Sequence, residues 1–256
     1  MVLTDEVMNA LDDDNVEAIR AWLDSNDYTQ SDGEGMLTDL CFDPRGGTTN
    51  EQLDIIRLLL ARGADINSCP DNDGWTALHC SAHSLHENEN AIKLIEVILG
   101  AGANVNAKTN GPHGIKSKTP LGLSLEHWGI GAERSLEVTI RLLRAGASLD
   151  ECRGNKTAEE TLRDRLILHP YLASDPQFVA VKLLISEYRA AGSSWKSYVR
   201  APPKALLRLR SLVARGRARD IKRLRAKTPR EIALLLAPTF PNELFWKVMT
   251  YWNPRV

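Results

Sequence analysis

The side chains with the greatest capacity for chemistry in this 256-residue chain gather in one short run: His79, Cys80, His83 and His86. Three imidazoles and a thiol are zinc-type ligands, but zinc requires them to converge tetrahedrally on one point. His79 and Cys80 are adjacent, and adjacent residues do not face one another on a helix. The same geometry argues against a Cys–His nucleophile, which needs thiol and base within hydrogen-bond reach. No other reaction is written into the chain. Gly46-Gly47 and Gly131 stand alone, no Gly-Lys-Ser/Thr phosphate loop occurs, and no Gly-x-Ser-x-Gly elbow is present. The expectation is a protein with no catalytic residues, no cofactor and no metal, so its function must lie in what its elements hold up for recognition.

Those elements announce themselves by repetition. Leu59-Leu60-Ala61-Arg62-Gly63-Ala64-Asp65 returns as Ile98-Leu99-Gly100-Ala101-Gly102-Ala103-Asn104 and again as Leu142-Leu143-Arg144-Ala145-Gly146-Ala147-Ser148. Each copy is an apolar helix end followed by a glycine suited to the left-handed position beyond a helix. A unit repeated in this way cannot bury its apolar face alone and must stack on its neighbours.

Between two copies lies Asp71-Asn72-Asp73-Gly74-Trp75-Thr76-Ala77-Leu78-His79, then Cys80-Ser81-Ala82 and His86. With Gly102-Ala103-Asn104-Val105-Asn106 downstream, this resembles an ankyrin repeat. Ala77 stands where that family usually has Pro, and Leu85 where it has Gly. A second copy, Lys118-Thr119-Pro120-Leu121-Gly122-Leu123-Ser124-Leu125, has Gly122 in the place of the motif histidine. The resemblance implies an all-α solenoid of helix-turn-helix pairs with β-hairpin fingers. It also implies that His79 braces a finger by hydrogen bonds and that His86 shapes the turn between helices.

The glycines at 63, 102 and 146 are spaced wider than the family's repeat of about 33 residues. Each unit therefore carries an insertion. Outer helices are expected to begin at Asn15, Asn50, Asn90 and Ser135, all good N-caps. Part of the surplus falls just before them, and part in a long finger from Thr109 to Lys118. The array is expected to fill residues 1–195 in five units, at about 1–30, 31–70, 71–108, 109–150 and 151–195. The first is a cap with Val16, Ile19, Trp22 and Leu23 on one face and Asn26 in the glycine slot. The second has lost the Thr-Pro-Leu-His signature. The last keeps Thr157-Ala158 and an apolar stripe of Phe178, Val181, Leu183 and Leu184, but lacks the Gly-Ala ending.

Residues 196–256 read as a separate, basic helical module, with Pro202-Pro203 at its boundary. Leu206, Leu209 and Val213 share a helical face, and Thr228-Pro229-Arg230-Glu231 is a capping box opening another helix. Net charge is only −1, yet residues 1–35 hold ten acids against Arg20, while residues 204–230 hold eleven bases against Asp220. Such polarity suits an acidic partner at one end. The basic stretch lacks interleaved aromatics for base stacking, which weighs against nucleic acid. Phe240-Pro241-Asn242-Glu243-Leu244 followed by apolar residues resembles the opening of an F-box, and Leu207 with Ser211 resembles part of a SOCS box. Either implies docking to a ubiquitin-ligase adaptor, through Leu244, Phe245, Trp246 and Met249. The opposing expectation is a last helix folded back as a cap.

With 43% hydrophobic residues the chain can bury a continuous core, and no apolar stretch is long enough to span a bilayer. Four cysteines without paired spacing and no basic-then-apolar leader suit a cytoplasmic or nuclear protein. The expected function is binding of a partner protein by the concave face of fingers and inner helices, as scaffold or adaptor. The expected contacts are Asp71, Asn72, Asp73 and Trp75 in one finger and His113, Ile115, Lys116 and Lys118 in the next. The alternative is a substrate receptor of a cullin-type ubiquitin ligase, with the tail holding the adaptor.

Overall fold

Two sets of helices alternate along the chain and stack separately. The computed structural model describes residues 9–10, 13, 15–25, 30–42, 49–70, 73–83, 90–110, 117–126, 134–214 and 241–251. Its helices are α1 (Val16–Leu23), α2 (Gln30–Cys41), α3 (Asn50–Ala61), α4 (Ala77–His83), α5 (Asn90–Gly100), α6 (Pro120–Ser124), α7 (Ser135–Arg144), α8 (Ala158–Leu168), α9 (Pro176–Ala190), α10 (Trp195–Ala214) and α11 (Asn242–Tyr251), with a 3-10 turn at Pro170–Ser174. Helices α1, α3, α5 and α7 pack each on the next, forming the outer stack. Helices α2, α4, α6 and α8 do the same as the inner stack, and α2–α3, α4–α5 and α6–α7 pair across. Nearest-neighbour stacking of this kind is the repeat architecture the periodic glycines require. The chain divides into two units after Ser186.

The outer helices end in one turn made repeatedly. Gly63, Gly102 and Gly146 lie at φ +91°, +88° and +97°. In each case the glycine N–H donates to the carbonyl three residues back, and the next N–H to the one five back, as Ala64 does to Leu59. This pair of bonds satisfies carbonyls that a helix end leaves over. A fourth copy closes α9: Gly192 has φ +94°, its N–H donates to Arg189 O, and the Ser193 N–H donates to Tyr188 O. Residues 151–195 thus carry a glycine ending after all, with serine in place of the alanine of the other copies.

The helix starts also differ in part from expectation. Asn15 caps α1, its Oδ1 accepting from Ala18 N–H at 3.0 Å. For α3 the cap is Thr49 rather than Asn50, because Gln52 completes a reciprocal capping box with Thr49. Ser135 lies inside α7 and is buried, behind Arg134, which makes no side-chain cap bond.

The stacks meet in an apolar core. Ile19, Leu37, Leu53, Ile56, Leu59, Leu78, Ile95, Ile98, Leu121, Val138 and Leu142 are all essentially inaccessible to water. In α9, Phe178, Val181 and Leu184 are buried as expected, but Leu183 is 57% exposed. At 100° per residue Leu183 stands about 140° from Phe178, whereas Ile185 and Tyr188 return to its side and are buried instead.

In the second unit, α10 runs without a break through Pro202-Pro203, so these prolines do not interrupt the helix. Tyr198 stacks near Tyr188 and Trp195, with ring centroids 5.9 and 5.4 Å apart. Phe245 on α11 is fully buried. No described helix is long and apolar enough to cross a membrane.

Candidate functional site

The fingers lie at the starts of the inner helices, and buried polar groups fix their positions. Gly74 opens the first described finger at φ +69°, and a Cβ there would come within 2.7 Å of the Asn110 nitrogen. That close approach lets the Asn110 N–H donate to Asp73 O at 2.7 Å, linking one finger to the next. The following finger closes on itself at its base: Thr109 N–H donates to Lys118 O, and Lys118 N–H to Thr109 Oγ1, each at 3.0 Å. Gly154 N–H then donates to Ser117 O at 2.6 Å, carrying the connection into the next unit. Among the described residues the fingers form isolated antiparallel bridges, Lys118 with Arg153 and Arg153 with Lys156, in place of extended hairpin strands.

His79 is the keystone of this row. Its ring is fully buried. Nδ1 accepts from Thr76 N–H at 3.2 Å and lies 2.9 Å from Thr76 Oγ1. Nε2 sits 3.1 Å from both Ala107 O and Lys118 O, which can only accept. The network therefore assigns the neutral tautomer with the proton on Nε2. Burial drives its pKa down to about 4, against the opposing pull of the two carbonyls. Its bracing role matches the resemblance, and its bonds are spent on the scaffold. Among the described residues no group of three or more His, Cys, Asp or Glu is placed to hold a metal ion.

The next inner helix solves the same problem without an imidazole. A Cβ on Gly122 would lie 1.9 Å from Cys152 O. The backbone of the following finger occupies that space, and Thr119 N–H donates to Cys152 O at 3.1 Å. Thr119 Oγ1 also caps α6 by accepting from Gly122 N–H. Where His79 reaches across to two carbonyls, Gly122 lets one carbonyl come directly to the helix start.

Charged groups on these fingers are largely paired. Lys118 Nζ lies 2.6 Å and Arg153 Nε 2.8 Å from the buried Glu126 carboxylate. Lys156 pairs with Asp164, and Lys108 with Glu151. Lys118, expected as a partner contact, thus helps tie two fingers together. Burial of Cys41 raises its thiol pKa well above the ordinary value, while Cys80 and Cys152 are also buried and Cys69 is exposed; none of the four is in a disulfide.

Trp75 stands in a ring cluster. Its centroid is 6.1 Å from Phe42, edge-on, 5.3 Å from His83 and 6.2 Å from His79. Phe42 and His83 stack at 5.8 Å. Phe42 is 44% exposed, while Trp75 and His83 are partly exposed. Of the other expected contacts, Asp73 is exposed, and Asp71, Asn72, His113, Ile115 and Lys116 lie outside the described residues. In the second unit Leu244 is 48% exposed and Phe245 buried; the side chains of Trp246 and Met249 lie outside the description. Phe42 escaped the sequence reading. Its signal was an aromatic side chain at the end of an inner helix just ahead of Asp43-Pro44, a position the core has no need to fill.

Residues 49–95, from the Thr49 cap through α3, the Gly74 finger and α4 into α5, match the family described as ankyrin repeats (many copies). No curated protein matches the chain. The family match over residues 49–95, the paired helices in two stacks and the finger held by His79 together support an all-α ankyrin-repeat fold, and ankyrin repeats are generally protein-interaction modules.

Proposed function

We propose that this chain is a scaffold or adaptor that binds a partner protein on the finger and inner-helix side of its repeat array, in about five units over residues 1–195. The observation that carries the reading is the Phe42–Trp75–His83 cluster. His79 on this side is consumed by the scaffold, whereas Phe42 keeps nearly half its surface in water. Aromatic side chains on a rigid support are the usual anchors of protein interfaces. Asp73, in the same finger, and the residues around His113 to Lys116 complete the expected contact surface.

The reading of residues 240–252 as a ubiquitin-ligase adaptor site requires an exposed aromatic face there. Burial of Phe245 favours instead a last helix folded back within the 196–256 module. The test is affinity capture with the full chain and its Phe42→Ser/Trp75→Ser variant, each first confirmed to be folded by circular dichroism. The reading expects one set of proteins lost from the variant and retained by a Leu244→Ser control. Equal recovery by all three overturns it, and loss from the Leu244 variant alone favours the adaptor site.

A further inference from the structure

Phe42, Trp75 and His83 come from three separate places, the end of α2, a finger and the end of α4, and meet as one aromatic patch with centroids 5.3 to 6.1 Å apart. The stretch of sequence that supplies Phe42 and Trp75 is mostly acidic. Residues 1–80 hold 17 acids and 4 bases. Of those bases, Arg57 pairs with Asp54 and Arg62 with Asp24. Asp73, exposed and two residues ahead of Trp75, forms no ion pair among the described residues. The cations of the next fingers, Lys118 and Arg153, are committed to Glu126. The patch therefore offers aromatic faces in an acidic stretch of sequence, with the exposed Asp73 two residues from Trp75.

One side chain satisfies both features. A guanidinium is planar, stacks on aromatic faces and donates to carboxylates, and it loses less hydration than an ammonium in doing so. We propose that the Phe42–Trp75–His83 patch takes an arginine-bearing segment of a partner protein, with the guanidinium over the exposed rings and its charge directed to Asp73. This rests on the reading that the finger and inner-helix side is the partner surface.

The probe is the blocked pentapeptide acetyl-Gly-Arg-Gly-Arg-Gly-amide, with its lysine and glutamate counterparts, titrated into full-length protein carrying ¹⁵N-labelled indoles. The arginine peptide should shift the Trp75 indole N–H saturably, the lysine peptide should bind more weakly, and the glutamate peptide should leave it unmoved. Asp73→Asn should weaken the arginine peptide about two- to fivefold, as loss of an exposed charge pair does. Glu17→Gln, on exposed α1 surface, should change nothing. An unshifted indole, or an equal response to the glutamate peptide, overturns the proposal. So does salt-sensitive self-association that the arginine peptide dissolves, since residues 204–230 of a second copy would then be the occupant. Photo-crosslinking from benzoylphenylalanine at position 42 or 183 separates this from the wider reading. Adducts at 42 to a surface without arginine overturn the arginine assignment alone, and adducts only from 183 overturn both.

Discussion

Acid should attack the array at His79. The folded state holds this imidazole neutral, with a pKa lowered by burial to about 4 from an ordinary value of 6.5. Above pH 6.5 both folded and unfolded chains carry it neutral, and its bonds contribute in full. As the pH falls below 6.5 the unfolded chain takes up the proton and the folded chain does not. Each pH unit in that window removes about 1.4 kcal/mol of stability, and the loss ends near pH 4, where the folded ring is protonated as well. The total is about 3 kcal/mol, a large share of what holds a domain together. The proton has nowhere to go without damage, because Nδ1 must stop accepting from Thr76 N–H. Two measurements check this. Imidazole resonances of the six histidines, followed against pH, should show one ring titrating near 4 and disappearing in His79→Gln. Urea unfolding at pH 7 and pH 4.5 should show an acid loss about 2.4 kcal/mol smaller in His79→Gln than in the parent chain, since carboxylate effects are common to both. A His79 ring that titrates near 6.5, or equal acid losses in the two proteins, would refute the account of the finger as a histidine-braced joint.

Three further outcomes follow from the same geometry. Gly122→Ala drives a methyl into a backbone carbonyl and should cost about 3 kcal/mol, read as a fall in thermal midpoint. Asn106→Ala removes the bond from Nδ2 to Gly146 O and the acceptor for Ser148 N–H; unfolding titrations should show a loss of about 1 to 2 kcal/mol. On α9, Ile185→Ala should cost about 2 to 5 kcal/mol and Leu183→Ala less than about 0.5, as denaturant midpoints would report.

Much of this fold was legible because repeat architecture writes local rules in multiple copies. The outer-helix ends could be placed from glycine alone, since the turn needs φ near +90° and little else. The fifth ending was missed when an alanine was demanded beside the glycine; the turn uses only the backbone of Ser193. Leu183 was misplaced because an apolar residue was assumed to be a core residue, where helical angle decides. The exchange of His79 for Gly122 could be seen but not explained from sequence. Its cause is the carbonyl of Cys152, brought in by a unit thirty residues on. The aromatic patch was half legible: Trp75 sits at a finger position the scaffold leaves open, but its neighbour Phe42 lies 33 residues earlier, and only the packing of α2 on α4 joins them.

The base of the Thr109–Lys118 finger has a consequence for how this chain can change. Both ends of that segment are fixed by backbone bonds to each other and to adjoining fingers, at Asn110 and Ser117. What spans them closes a ring already closed, so doubling its length adds only about 0.6 kcal/mol of closure entropy. Recognition sequence can be exchanged or lengthened there while every helix keeps its neighbours. The position is a natural graft point, and new specificity installed at it leaves the stability of the array nearly unaltered.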